Sequence, residues 1–517
     1  MKPITKKHLL PLAAALCCTF TMAVTTACVN EDNSAGANTP YGQSEYTIML
    51  YGFGGRNLDI GIFGNIMDFY KAKPESYGKV QIACQYKYSS AEDLQKFWFD
   101  MLSDKLPDQA VNAIKDMGLR TVRFVVDKTV QSPDENVLLN HQNIYGPKNN
   151  YVANADSLTN FINWATKACP AKHYILIVSD HGGGYQPHDD LPFNASSQTR
   201  GVLYDQNHEP NQHFTVSSLK HAISRANAHM DVIYLDACLM NTIEYQFELK
   251  QLADYYILSS FTVPGAGGSY SVLIDELAKN TGDIETALKN FNKASVDKWD
   301  QDAAEQAAQG SKEAKWDYHD MTVSRTSALD AFGAKFKLFT DKLMDAYANE
   351  SHKAKIDTIT KYAFKVNNER PGYDLVDYAK SIVDALPDVY GADFDLEIGT
   401  AFNNCLVSQY CSDFLMKKGL SVDCSIMLGV EGSYYFYDYD REKPEILKGY
   451  RIYYPDGKLA KYTTGVTDPE ISTWPSTLAD TYQQLAFDKG TGWSRWIKLN
   501  KQLPCNNSPV EMHYPIE

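Results

Sequence analysis

Positive charge is in short supply in this sequence: 49 lysines and arginines stand against 64 aspartates and glutamates, a net charge of −15. That balance excludes the basic surface that nucleic acids require and leaves room for a cationic substrate. Beyond one stretch near the N-terminus, no run approaches the ~18 apolar residues of a membrane span. The cysteines show no CxxC spacing of the kind that binds zinc, and Asp189, Asp190 and Asp205 form no calcium loop, so neither an obligatory metal nor another cofactor is expected. Gly182-Gly183-Gly184 make a tight turn or a weak phosphate nest, because the Lys and Ser/Thr of a P-loop are missing. There is no internal repeat.

What is present is a 517-residue chain, 44% hydrophobic and 22% charged, long enough to bury a large core in two domains or one enlarged one. Residues 1–27 read as a secretory signal: Lys2, Lys6 and Lys7 form a basic head, Leu9 to Val24 an apolar stretch, and Thr25-Thr26-Ala27 a small-residue cleavage site. The cleavage site resembles a bacterial lipobox, which makes Cys28 the lipidated first residue of the mature chain. Glu31-Asp32 just after it resembles the surface-export signal of some Gram-negative lipoproteins. A lipid anchor on the outer membrane, with the protein exposed at the cell surface, is therefore expected. Seven further cysteines remain: Cys84, Cys169, Cys238, Cys405, Cys411, Cys424 and Cys505. An odd count in an oxidising compartment leaves at least one thiol unpaired or paired between chains.

Residues 28–44 are polar and read as a flexible tether. From Glu45 the pattern becomes an alternation of strands and helices. Strands are predicted at Tyr46 to Tyr51, Val80 to Tyr88, Thr121 to Val126, Tyr174 to His181, Gly201 to Tyr204, Asp231 to Cys238 and Tyr255 to Ser260. Helices are predicted from Asp59 to Lys71, near Ala91 to Leu106 and Pro107 to Met117, after an N-cap at Asp156, after an N-cap at Thr215, and from Cys238 to about Leu252. This is the pattern of an α/β sheet with helices on both faces. Past 270 the composition shifts to helix over Ile284 to Val296, Ser324 to Ala348 and Tyr373 to Leu386, then to antiparallel strands from Ser425 to Tyr454. The expected organisation is a catalytic domain over 45–270 and a C-terminal helical and β region over 271–517.

Two of the apolar runs stop on reactive side chains. Tyr174 to Ser179 leads to His181, and Asp231 to Leu235 leads to Cys238; open α/β sheets place their chemistry at such strand ends. A thiolate is a strong nucleophile near neutral pH, and a nearby imidazole can favour the thiolate and protonate a leaving amine. The separation of 57 residues accommodates one crossover within the sheet. Gly182 lets the backbone approach a carbonyl group, and the N–H groups of Gly182 and Cys238 are candidates for an oxyanion hole. Asp236 fits either substrate binding or a cap on the following helix.

The stretches LTNFINWATKACPAKHYILIVSDHGGGY (158–185) and YLDACLMNTIE (234–244) resemble the clostripain family of cysteine peptidases, relatives of caspases, legumains and gingipains. The likeness extends to 46–57, 255–270, 373–377, 449–455 and 487–496. It implies a caspase-like three-layer αβα sandwich with a mostly parallel sheet, a monomer that takes protein or peptide substrates, and a His181–Cys238 dyad. It also implies cleavage after Arg or Lys, with Asp236 near the specificity pocket. Residues 259–270 carry no acid, where relatives often have one. Relatives self-cleave between the histidine and the cysteine, and Arg200 is the candidate here; some need calcium. A catalytically inactive lipoprotein with the same fold, binding peptides or glycans, is the alternative.

Overall fold

The computed structural model describes residues 43–54, 58–88, 117–127, 141–185, 202–205, 208, 212–310, 319–362, 372–413, 425–427, 446–447, 450–451 and 482–500. The signal peptide, nearly all of the tether, Cys28, Arg200, Cys424, Cys505 and the helices predicted over 91–106 and 107–117 (Met117 apart) lie outside these residues. Contacts divide the chain into two units that interleave instead of changing over once near 270. The first comprises the chain up to Gly183, Phe193–Ala237 and Val263–Ser295; the second comprises Gly184–Pro192, Cys238–Thr262 and Val296 onward.

The first unit is built on strands β1 (Ser44–Phe53), β2 (Val80–Lys87), β3 (Thr121–Val125), β4 (Ile144–Tyr145), β5 (Ala171–Ser179) and β8 (Met230–Asp236), with a separate antiparallel hairpin of β6 (Val202–Asp205) and β7 (Gln212–Phe214). Within this unit the sheet order is β8-β5-β1-β2-β3-β4. The pairs β8/β5, β5/β1 and β1/β2 are parallel, while β3 and β4 run antiparallel to their neighbours. Ile175 to Val178 and Val232 to Leu235 are buried, as strands covered on both faces must be.

Strand order then dictates the layers. From β1 the chain crosses to β2 through the helix Asp59–Phe69, and from β5 it crosses the opposite way to β8 through the helix Val216–Ser224. Parallel crossovers are right-handed as a rule, which assigns the two helices to opposite faces of the sheet. Each is packed by a partner. Thr159 in the helix Ala155–Ala168 donates to the carbonyl of Ala222 at 2.8 Å, and Phe69 stacks on Tyr270 at the start of the helix Tyr270–Lys279. Thr215 caps its helix in a full capping box with Ser218. The earlier helix is capped by Asn154, not Asp156, because the Asn154 side chain is the one that accepts the Ser157 N–H, at 2.9 Å.

The second unit holds β9 (Ala253–Leu258), β10 (Asp320–Arg325) and β12 (Leu406–Cys411), antiparallel in the order β12-β10-β9. Two short antiparallel pairs are β11 (Gly372–Asp374) with β13 (Ser425–Met427) and β14 (Ile446–Leu447) with β15 (Tyr450–Arg451). The helix predicted from Ser324 begins only at Leu329. Sheet bonding claims the backbone before it: Thr322 to Arg325 pair with Leu258 to Tyr255, and the Arg325 N–H donates to the Cys405 carbonyl at 2.7 Å. The helices of this unit close on an aromatic core in which Phe336 meets Phe487 and Trp493, and Phe339 stacks on Tyr390.

Candidate active site

The two candidate residues each follow a strand of the parallel pair β5/β8. In the parallel pair β5/β8, Ser179 lies opposite Asp236. His181 and Cys238 are each the second residue beyond that rung, and the helix Val216–Ser224 is the crossover between the strands. The unit boundary falls between Ala237 and Cys238, so each residue has its own support.

On the histidine side, Gly182 forms an antiparallel bridge with Val202, and the Leu203 N–H donates to the His181 carbonyl at 3.2 Å. His181 and Gly182 are half-buried. Pattern reading missed the acid next to the histidine: Asp180 is only 4% exposed, and its carboxylate accepts the Tyr204 N–H at 2.6 Å. Burial pushes Asp180 well above the usual carboxylate range, opposed by N–H donation from His181 and Tyr204 and reinforced by Asp205 and Asp59. Asp205 itself is enclosed with Lys87, Nζ to Oδ2 2.8 Å.

On the cysteine side, the helix predicted from Cys238 starts at Ile243, with Thr242 as its cap. The intervening residues are taken by other bonds. Leu239 adopts φ +66°, its N–H donates to the Phe261 carbonyl, and the Asn241 N–H donates to the Ser259 carbonyl, both at 2.8 Å. Buried Asp320 accepts the N–H groups of Ser260 and Phe261, and burial pushes it up to about 6 against those bonds. The turn that presents half-buried Cys238 is thus pinned to the 259–261 stretch. Gly184 is required close by: its φ is +74°, and a Cβ there would stand 2.9 Å from the Leu239 carbonyl oxygen.

Asp236 caps nothing. Its carboxylate, 4% exposed, accepts from the Tyr234 hydroxyl at 2.9 Å and the Tyr270 hydroxyl at 2.5 Å. Burial pushes it up to about 6, against the bonds from both tyrosines and from the Gly268 N–H. The glycines of the acid-free loop serve this contact. Gly267 has φ +59°, and a Cβ on it would lie 2.4 Å from Asp236 Oδ2 and 2.6 Å from Asn65 Nδ2.

Among the described residues no three His, Cys, Asp or Glu side chains gather as a metal site would need. The described cysteines form no disulfide. Burial raises the Cys84 thiol well above its ordinary value and pushes Cys169, Cys405 and Cys411 up to about 12, which keeps them protonated and unreactive. Iodoacetamide at pH 7 with peptide mapping is therefore expected to label Cys238 at least about tenfold faster than any of these four; comparable labelling of Cys169 or Cys405 would contradict this ordering.

The model of the Clostripain family matches residues 108–445. Clostripain from Hathewaya histolytica is 26% identical over 151 residues, which make up 27% of this chain and 28% of that protein, so the matched stretch spans well under a third of that relative. A secreted C11 cysteine protease from Bacteroides thetaiotaomicron, solved in complex with an irreversible peptide inhibitor, is similar with a TM-score of 0.52 at 16% identity, covering 87% of this chain and 100% of that one. A second structure of a secreted C11 cysteine protease from the same organism, "iotapain", has a TM-score of 0.51 at 14% identity, covering 87% of this chain and 99% of that one. These structures share the fold.

Proposed function

Because this chain belongs to the clostripain family, we propose that it is a cysteine endopeptidase working through Cys238 and His181, with a preference for Arg or Lys before the scissile bond. The observation that supports the reading is the Ser179–Asp236 rung, since His181 and Cys238 each follow it by two residues along the chain. The Cys238 thiolate attacks the peptide carbonyl carbon, and the N–H groups of Gly182 and Cys238 stabilise the resulting oxyanion. His181 protonates the departing amine, then takes a proton from the water that hydrolyses the acyl-enzyme, returning the thiolate and the protonated imidazole. In this reading Asp236 attracts the cationic side chain, since a desolvated carboxylate favours a guanidinium or ammonium strongly.

The chain is further read as a lipoprotein anchored through Cys28 to the outer membrane and exposed at the cell surface, acting as a monomer without an obligatory metal. Among the described residues no helix is long and apolar enough to cross a membrane. Self-cleavage after Arg200 would release a new N-terminus at Gly201, which N-terminal sequencing of the incubated protein detects; an active enzyme with an unbroken chain rejects it. The activity is tested by expressing residues 29–517 and measuring hydrolysis of peptide reporters that differ only before the scissile bond. No hydrolysis of any reporter would favour the inactive, peptide- or glycan-binding alternative.

A further inference from the structure

The backbone of His181 is firmly held. Three successive residues of β6 grip three successive residues of the histidine loop. Val202 bridges Gly182, the Leu203 N–H donates to the His181 carbonyl, and the Tyr204 N–H donates to Asp180 Oδ2. Asp180 also accepts the N–H of His181 itself. Both main-chain polar groups of the histidine are therefore accounted for, one directly by β6 and the other through the Asp180 carboxyl group.

In a regular strand the N–H groups of consecutive residues point to opposite sides. Here Leu203 and Tyr204 both donate toward the same loop. The cause is local: Leu203 adopts φ +58°, and the β6/β7 register shifts between Val202 and Tyr204. This is a bulge at a buried leucine in the left-handed region, an arrangement that costs energy and re-aims the groups that follow it. What it re-aims is the Tyr204 N–H, onto Asp180.

We propose that Asp180 is the positioning residue of the catalytic histidine: by accepting the N–H groups of both His181 and Tyr204, it ties the histidine backbone to β6 and fixes where the imidazole enters the site. The inference rests on the reading of His181 as the dyad histidine. Asp180 acts as an acceptor and not as a counter-charge. The acids around it are Asp59 and Asp205, of the same sign; Asp59 is bonded by the Tyr86 hydroxyl, and the neighbouring cation, Lys87, is engaged with Asp205, Asn149 and the Asn150 carbonyl. Burial holds the Asp180 carboxyl far above its ordinary range, so an amide of the same shape is an adequate replacement.

The test compares Asp180→Asn, Asp180→Ala and His181→Ala in the 29–517 chain, with active sites counted by alkylation of Cys238. Asp180→Asn, which keeps an acceptor oxygen, is expected to stay within about threefold of the parent kcat, and Asp180→Ala to lose about ten- to a hundredfold in kcat per titrated site with KM unchanged, as misplacement of a catalytic group predicts. The limbs of the pH–rate profile stay where they are in both. Should Asp180→Ala fail to fold, Asp180→Ser, whose hydroxyl is too short to span both donors, carries the same expectation. Parental kcat in Asp180→Ala or Asp180→Ser overturns the inference, as does an Asp180→Asn loss as large as that of the alanine variant. An active His181→Ala removes the dyad reading itself, whereas an inactive His181→Ala beside a fully active Asp180→Ala removes only the role of Asp180.

Discussion

Cys238→Ala is expected to lower kcat/KM on a peptide reporter by about four to six orders of magnitude, since it removes the nucleophile and with it the covalent pathway. His181→Ala should cost about two to four orders of magnitude, the usual range for a lost general acid and base. The double variant should be no worse than Cys238→Ala alone, because residues that act as one unit are not additive. Folded structure should survive both changes: the two side chains lie beyond the ends of β5 and β8, and the buried runs Ile175–Val178 and Val232–Leu235 are untouched. The check is steady-state kinetics alongside circular dichroism. Undiminished turnover by folded Cys238→Ala would remove the nucleophile assignment.

Asp236→Asn should lower kcat/KM for Arg and Lys reporters by about a hundred- to a thousandfold, equivalent to ~3–4 kcal/mol, the scale of stripping one partner from a buried charge pair. Reporters with an uncharged residue at that place should change little. The Tyr234 and Tyr270 hydroxyls donate to the carboxylate and can still donate to the amide oxygen, so the loss is one of charge more than of shape. A pH signature follows. With its carboxyl pushed up to about 6 by burial, Asp236 is ionised above that pH and neutral below it, so preference for basic over uncharged reporters should fall as pH drops through about 6. Stability moves the other way. A carboxyl raised in the folded state favours folding while protonated, so its contribution is present below about pH 4 and is lost as pH rises through about 6. Denaturant midpoints of the parent minus those of Asp236→Asn should show that decline. Equal turnover after Arg, Lys and uncharged residues in the parent would take Asp236 out of specificity.

Much of this architecture was legible because it depends on chain-local patterns. The apolar runs of β5 and β8 and the Thr215 cap announce themselves within a dozen residues. Where local rules allowed two answers, long-range bonds decided. Asp156 and Asn154 are both good caps, and the one that reaches the Ser157 N–H won. A helix directly after Cys238 fits the local composition, but the N–H groups of Leu239 and Asn241 are taken by carbonyls at Phe261 and Ser259. Likewise, Asp320–Arg325 becomes a strand because β9 and β12 flank it.

The surroundings of Asp236 and Asp180 were illegible for the same reason. Tyr270 reaches Asp236 from 34 residues away, and Tyr204 reaches Asp180 from 24, separations no periodicity encodes. The acid-free 259–270 loop looked like a gap in a specificity pocket. Its glycines instead leave space for a carboxylate delivered by β8, a use that only the folded backbone reveals.

The central claim is that His181 and Cys238 act as a pair, and the most direct measurement is the pH dependence of the second-order rate of Cys238 alkylation in the parent and in His181→Ala. A pair predicts that the parent keeps substantial reactivity well below the ordinary thiol pKa of about 8.5, while His181→Ala loses that acid limb and titrates like an unassisted thiol. Superimposable profiles for the two proteins would contradict the account.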